Sequence, residues 1–540
     1  MESAVSHNTS PGTWQDSPLW KWIALLVLAV GTAISLFSRF RAGNAFVVFF
    51  DDDYFYYLRV AQNIAAGHGS TFDGIHRTNG YHPLWMLVNI GLVKLFTGRA
   101  FFDVLLGIIF LCVLAAYWFS RLCLRRYASE AIASGCAGIV AAQGLLIMSG
   151  GMEVVLTIPL LTLLCWYRVC RFRWSPGSAM MYGLLCSAVV LSRLDAALFV
   201  ALLGGFELFA SGEIAATQRM RAAGAFLAGL LPLGFYFAIN DTIFHTLMPV
   251  SGQVKQLRFS HVPSSTPWVD GFVTGWTPLR VLLVLPVTCA VVFAVVLMWR
   301  GRLRQNDASR LESGHRPLVW ALLCSPFVQL MVLCVVSDWV LPPWYLYTFV
   351  VATLGVCLVL VSRRGRLEQA VSRAGAALSI GACAAVLLVF AVVQVLNSKR
   401  PDKLAYSVYF AARDLSVFAK THPGIYAMGD HAGIPSLLID QPIVQAEGLV
   451  MDLTYLSDIR QQRDLKNVLE GYDVRYYVVS NPTPVKGCLA AIEPAIAGPT
   501  SYVMRGVFCS APVDHFFYNG RDTYVIDIER EREFAGERPS

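Results

Sequence analysis

The first three quarters of this chain repeat one pattern: apolar runs of up to about 20 residues, the length a helix needs to cross the ~30 Å hydrocarbon layer, separated by short Arg-rich stretches. The runs fall at Trp20–Phe37, Phe101–Ser120, Ala131–Ile147, Glu153–Tyr167, Met180–Leu191, Ala196–Phe209, Ala222–Ile239, Val281–Trp299, Leu318–Ser337, Trp344–Val361 and Ala374–Val395. Backbone in lipid must close its hydrogen bonds within itself, so the pattern commits the chain to a polytopic α-helical membrane fold of about eleven spans. A composition 56% hydrophobic and only 15% charged agrees, because a soluble core has no use for that much apolar surface.

Orientation follows from charge. The first run follows a polar N-terminus and lacks a signal-peptide cleavage site, which makes it a retained anchor with the N-terminus in the cytoplasm. Alternating sides from there puts Arg121, Arg125 and Arg126, then Arg168, Arg171 and Arg173, then Arg219 and Arg221, then Arg300, Arg302 and Arg304, then Arg363, Arg364 and Arg366 on the cytoplasmic side, as the positive-inside rule requires. This holds only if His82–Thr97, apolar but short, does not cross. Ser38–Arg99 is then one long first extracytoplasmic loop carrying two helices, Tyr54–Ala66 and Pro83–Phe96. Loops of that length are usually functional.

Past Asn397 the spans cease, dividing the chain into a membrane module, residues 1–396, and a C-terminal soluble domain, residues 397–540. An odd number of spans leaves this domain extracytoplasmic. A helix-like stretch at Tyr406–Lys420, β-rich runs at Ile425–Gly429, Val474–Ser480 and Thr523–Ile528, and turn chemistry at Asp430-His-Ala-Gly433 and Gly471 read as an α/β unit. Most of the 13 Cys lie in the spans as small apolar fillers. Cys488 and Cys509 lie outside, where they either pair in an oxidising compartment or remain two buried thiols. The net charge of +7 is mostly cytoplasmic Arg and makes no case for nucleic acid; the bilayer is the partner that the composition implies.

Chemistry concentrates in the first loop. Phe49 to Leu58 reads Phe-Phe-Asp-Asp-Asp-Tyr-Phe-Tyr-Tyr-Leu, a triple carboxylate just past the first span. Adjacent acids repel one another and resist burial, so packing explains them poorly. The plain alternative is a solvated helix N-cap.

The blocks Asp52-Asp-Tyr-Phe-Tyr-Tyr-Leu-Arg59, Ala61-Gln-Asn-Ile-Ala-Ala-Gly-His-Gly69, Thr71-Phe-Asp-Gly74 and Thr78-Asn-Gly-Tyr-His-Pro-Leu-Trp85 resemble the type-C (GT-C) glycosyltransferases of bacterial membranes. The likeness is to the branch related to dolichyl-phosphate-mannose protein mannosyltransferases and lipid A aminoarabinose transferases. It continues through Ser149-Gly-Gly-Met-Glu153, Ser192-Arg-Leu-Asp195, Pro249-Val-Ser-Gly-Gln-Val-Lys255, Trp344-Tyr345, Gly429-Asp-His-Ala-Gly433 and Glu447-Gly-Leu449, and so covers nearly the whole chain. Two departures stand out: a third acid, Asp51, leaves the register of the acidic pair open, and Tyr54 replaces a small residue.

The resemblance implies transfer of a sugar from a polyprenyl-phosphate donor to a cell-envelope glycan, lipid or protein acceptor, at the outer face of the bacterial cytoplasmic membrane. Such a step with inversion needs a carboxylate base and a stabilised phosphate leaving group. Asp52 matches the family's first acid and is the expected base, with Asp53 positioning the acceptor or tuning its neighbour. Glu153, at the outer end of a span, joins them as a catalytic candidate. Lys255 and Arg258 are the expected phosphate contacts, Arg258 equally a headgroup contact. Asn79, Tyr81, His82, Arg193, Asp195, Trp344 and Tyr345 are candidate substrate contacts. Arg193 and Asp195 read equally as a structural ion pair, the aromatic pair as interfacial belt, and His76 and His82 as ordinary hydrogen-bonding groups. No cofactor is expected, and a divalent cation shared by Asp52 and Glu153 is the less favoured reading. A flippase or permease for lipid-linked sugars is the rival class, and a cell-wall-binding scaffold a third, but the ionisable residues collect on one face rather than along a midplane path.

Overall fold

The computed structural model describes residues 16–210, 216–260, 262–269, 280–303, 311–362, 366–397 and 404–537. Helix α1 (Leu19–Phe37) leads through a 3₁₀ stretch to α2 (Asp52–Ala66) and α3 (Pro83–Leu95), followed by α4 (Gly98–Leu124), α5 (Glu130–Met148), α6 (Val154–Cys170), α7 (Pro176–Ser192), α8 (Ala197–Ala210), α9 (Ala216–Gly229), α10 (Leu231–Phe244) and the single-turn α11 (Val250–Val254). Further long helices run over Leu285–Leu303, Arg316–Val336, Tyr347–Val361 and Arg366–Asn397. Among the described residues six helices are long and apolar enough to cross a bilayer, with the α9–α10 pair and four shorter apolar helices beside them. The chain is a multi-pass membrane protein.

Polar contacts at the helix ends give their directions. Arg39, just past α1, donates to the Ser149 carbonyl just past α5 at 2.6 Å. Arg121 late in α4 pairs with Glu130 at the start of α5 at 2.5 Å, and Arg125 lies 3.4 Å from Asp16 ahead of α1. So α1 and α5 end on the face that carries α2, while α4 ends on the opposite one. Helix α3 stays on the α2 face: Trp85 near its start donates to Gly151 at 3.1 Å, and Arg99, just after it, stacks 4.3 Å over Phe40. Both ends of α3 thus lie on the α2 face of the bundle.

The span expected at Ala222–Ile239 is instead broken, with α9 and α10 bent by 45°. Pro232 near the start of α10 has no N–H to continue the ladder, which is a sufficient cause. Helix α5, rich in Ala and Gly, is buried almost all round; small residues let neighbouring helices come close. A Cβ on Gly138 would stand 3.0 Å from the Cys383 sulfur. Of the Arg clusters, Arg304, Arg363 and Arg364 lie outside the described residues.

The soluble domain opens with a helix, Leu404–Thr421, and forms a five-stranded mixed sheet in the order β2-β1-β3-β8-β7. Here β1 (Ile425–Met428) lies parallel to β2 (Ile443–Gln445) and β3 (Val474–Ser480), while β8 (Arg521–Asp527) runs antiparallel to β3 and to β7 (Asp514–Tyr518). A second sheet orders β4 (Thr483–Val485), β5 (Cys488–Glu493) and β6 (Met504–Phe508). Cys488 and Cys509 are joined as a disulfide, which decides between the two readings of that pair.

Candidate active site

A cavity of about 420 Å³ lies where the α2 face of the bundle meets the soluble domain. Asp53, Tyr56 and Tyr57 of α2, Tyr81 and His82 before α3, Glu153 before α6, Arg193 and Asp195 after α7, Lys255 after α11, the Ser337–Tyr345 stretch, and Leu449 and Val450 of the soluble domain all contribute to its wall.

The acidic trio is split three ways. Helix α2 starts at Asp52 after an extended Asp51, and consecutive side chains at a helix start diverge by about 100°, so the three carboxylates need not share one space. The Asp51 amide donates to Gly150 at 3.0 Å, and its carboxylate lies against Gly150 where a Cβ would otherwise sit. Burial pushes Asp51 up to about 7, reinforced by Asp53 and opposed by Arg39. Asp52 turns toward the soluble domain and accepts from the amides of Gly433 and Ile434 at 2.8 and 2.9 Å. Asp53 alone of the three lines the cavity. Burial pushes its carboxyl up to about 6, against the pull of Lys255 and with the help of Asp52, Glu153 and Asp430.

Glu153 and Arg193, each 1% exposed, form a buried ion pair. Glu153 also accepts from the Tyr57 hydroxyl at 3.1 Å. Arg193 reaches Asp195 at 2.7 Å and stacks 4.3 Å over Tyr345. Gln329 Nε2 donates to Asp195 at 2.8 Å while its Oε1 accepts from Thr348 at 2.7 Å. His82 Nδ1 accepts from the Leu194 amide at 3.1 Å, and Nε2 lies 3.7 Å from Glu153. Burial, then Arg193 and Lys255, pull His82 down to about 3. It is a neutral imidazole whose proton sits on Nε2.

Lys255 is the cation of the cavity that no salt bridge among the described residues consumes. Burial works to lower its pKa, but the Tyr345 hydroxyl and Asp53 outweigh it and hold the ammonium charged. Its Nζ lies 5.6 Å from the Tyr345 ring and 5.8 Å from the Trp339 ring. Asn79 positions the segment: its Oδ1 accepts from the Val250 amide at 2.9 Å, at the start of α11.

Arg258 is not brought to the cavity. It donates to Thr500 at 3.0 Å and to the Val262 and Val335 carbonyls at 2.7 and 3.0 Å, tying loops together. Asn79 braces backbone rather than lining the wall, Tyr81 lines the wall with its hydroxyl 2.7 Å from Ser70, and His76 pairs with Asp73 at 2.6 Å. Trp344 lines the wall beside Tyr345. Sequence reading did not single out Tyr57, Gln329 and Trp339. Tyr57 had a signal, standing four residues after Asp53 and so on the same helix face; Gln329 and Trp339 had none. Among the described residues no three His, Cys, Asp or Glu side chains are grouped to hold a metal ion.

The overall structure is similar to the ArnT of Cupriavidus metallidurans bound to undecaprenyl phosphate, at 13% identity and a TM-score of 0.55, over 94% of this chain and 97% of that one. Weaker likenesses are to the oligosaccharyltransferase of Archaeoglobus fulgidus (12% identity, TM-score 0.48, 85% of this chain and 69% of that one) and to a mycobacterial arabinofuranosyltransferase, AftD (15%, 0.42, 84% and 35%). No protein-family model and no curated sequence matches the chain. The fold is that of the type-C membrane glycosyltransferases.

Proposed function

We propose that this chain is an inverting glycosyltransferase that moves a sugar from a polyprenyl-phosphate donor to the hydroxyl of a cell-envelope glycan, lipid or protein at the outer face of the bacterial cytoplasmic membrane. The observation that carries the reading is one cavity that brings a carboxylate whose pKa burial raises to about 6, Asp53, together with a half-buried ammonium, Lys255, on this fold. The undecaprenyl phosphate in the ArnT structure agrees with a donor of this kind.

Asp53 takes the proton of the acceptor hydroxyl as its oxygen attacks the anomeric carbon. The bond from that carbon to the phosphate oxygen breaks, and its electron pair leaves with the polyprenyl phosphate. Lys255 counters the developing negative charge in a site where burial makes charge expensive. The base is thus proposed as Asp53 rather than Asp52, whose carboxylate is spent on two amides. Glu153, held by Arg193 and Tyr57, and Asp195, held by Arg193 and Gln329, supply fixed acceptors for sugar hydroxyls. Tyr345 and Trp344 offer ring faces for the sugar. Protein cations suffice for this step, so transfer is expected to be unchanged by EDTA.

Full-length protein assayed with membranes of a deletion strain, as source of native donor and acceptor, tests the reading. Asp53→Asn is expected to lose transfer by about 10³-fold or more while still binding undecaprenyl phosphate, and Lys255→Ala to lose that binding. Transfer at the parental rate by Asp53→Asn, or unchanged binding by Lys255→Ala, overturns it.

A further inference from the structure

The soluble domain meets the first-loop elements at two places. Leu449 and Val450 form part of the wall, with the Leu449 carbonyl packed against Gly80 so closely that the first loop has no room there for a side chain. The second place, off the cavity wall, is the start of the short helix Gly433–Leu438, which grips Asp52 by two main-chain amides. Gly433 is equally constrained: a Cβ there would overlap the Asp52 carbonyl oxygen and stand 2.7 Å from its carboxylate. Asp51, on the other side of Asp52 in the chain, is held to Gly150 of the membrane module. The start of α2 is therefore fixed from both modules, by the two residues that precede the one acid of the trio that lines the cavity.

Resting on the reading of Asp53 as base, we propose that Asp52 is a positioning residue through which the soluble domain sets the catalytic aspartate, so that the active site is complete only when that domain is docked. Orientation of a general base within a bound geometry is worth large factors, and a displacement of about 1 Å costs on the order of 100-fold. Asp52 works by accepting two hydrogen bonds, not by taking a proton. A carboxamide, which keeps one accepting oxygen, preserves part of the grip, and a methyl group preserves none.

The same membrane assay separates the roles. Asp52→Asn is expected to keep transfer within about tenfold of the parent, and Asp52→Ala to fall about 100-fold, both through kcat. Gly433→Ala, which acts from the opposite side of the contact, is expected to match Asp52→Ala, and the double variant to be no worse than either single one. Binding of undecaprenyl phosphate, the probe, stays at the parental level in all of them and reports that the site is folded. Asp52→Asn as inactive as Asp53→Asn makes Asp52 the base and overturns the proposal. So does Gly433→Ala that binds the probe and transfers at the parental rate. Should Gly433→Ala fail to bind the probe, the Asn-against-Ala split at Asp52 decides alone, equal activity of the two overturning it. Failure of the underlying reading looks different, since Asp53→Asn would then retain transfer while the Asp52 variants are silent.

Discussion

Asp53 titrates in a crowded setting. Asp51 and Asp52 precede it at the start of α2, Glu153 and Lys255 face it from the membrane module, and Asp430 and Glu447 from the soluble domain. Burial and the acids win over Lys255 and place the carboxyl at about 6. A base must be deprotonated to act, so kcat/KM for transfer is expected to fall as pH drops through about 6 and to level off above it. A profile flat from about pH 5 to about pH 7 would contradict the assignment. The Glu153–Arg193 pair makes a different claim, about stability. With both partners 1% exposed, Glu153→Ala leaves the buried guanidinium with Asp195 as its one carboxylate partner among the described residues and is expected to cost about 1 to 3 kcal/mol, read as a lowered melting midpoint of the purified protein. Glu153→Gln keeps an accepting oxygen and is expected to cost visibly less; equal losses would deny the pair its role.

Elements were legible where length and periodicity speak. The run Trp20–Phe37 became α1 within one residue, and the two loop helices appeared as α2 and α3, because apolar length decides spans and a Pro at the first turn marks a start. The bend between α9 and α10 was hidden inside one continuous apolar stretch. In the soluble domain β1, β3 and β8 were found, but β2 has three residues, all buried, and β4 carries Pro484 on an exposed edge, so neither shows alternation. The cavity was half legible: Asp53, Glu153, Arg193 and Lys255 were named from sequence, whereas which Asp faces inward is a matter of 100° of helix rotation set by a domain 380 residues away. Helix α5 gives the test at this scale. Gly138→Val puts a branched side chain where the Cys383 side chain already stands, and is expected to destabilise by about 1 to 3 kcal/mol in thermal inactivation. An unchanged midpoint would mean that the contact between α5 and the Arg366–Asn397 helix is loose.

At the scale of the molecule, the soluble domain is tied to the bundle by local polar clamps, so the loss of one should loosen its docking without unfolding it. Besides Asp52, the main one is Asp338, 2% exposed between two long helices. It accepts from the Thr500 amide and hydroxyl at 2.7 and 2.8 Å, from Thr266 at 3.1 Å, and from Ser264. Arg258 adds a bond to the same Thr500 at 3.0 Å. Asp338→Ala removes the shared acceptor and leaves half-buried donors unpaired, a loss on the order of 1 to 3 kcal/mol. None of these bonds involves a strand of the five-stranded sheet. Amide hydrogen exchange of the full-length protein is therefore expected to quicken around Gly498–Tyr502 and Gly448–Val450 while β3 and β8 keep their protection. Trp339, next in the chain, loses its anchor beside Lys255, so undecaprenyl phosphate is expected to bind more weakly in the same variant. Faster exchange in β3 and β8 as well would mean that Asp338 supports the domain's fold rather than its docking, and exchange unchanged everywhere would mean that the remaining contacts hold the two modules together without it.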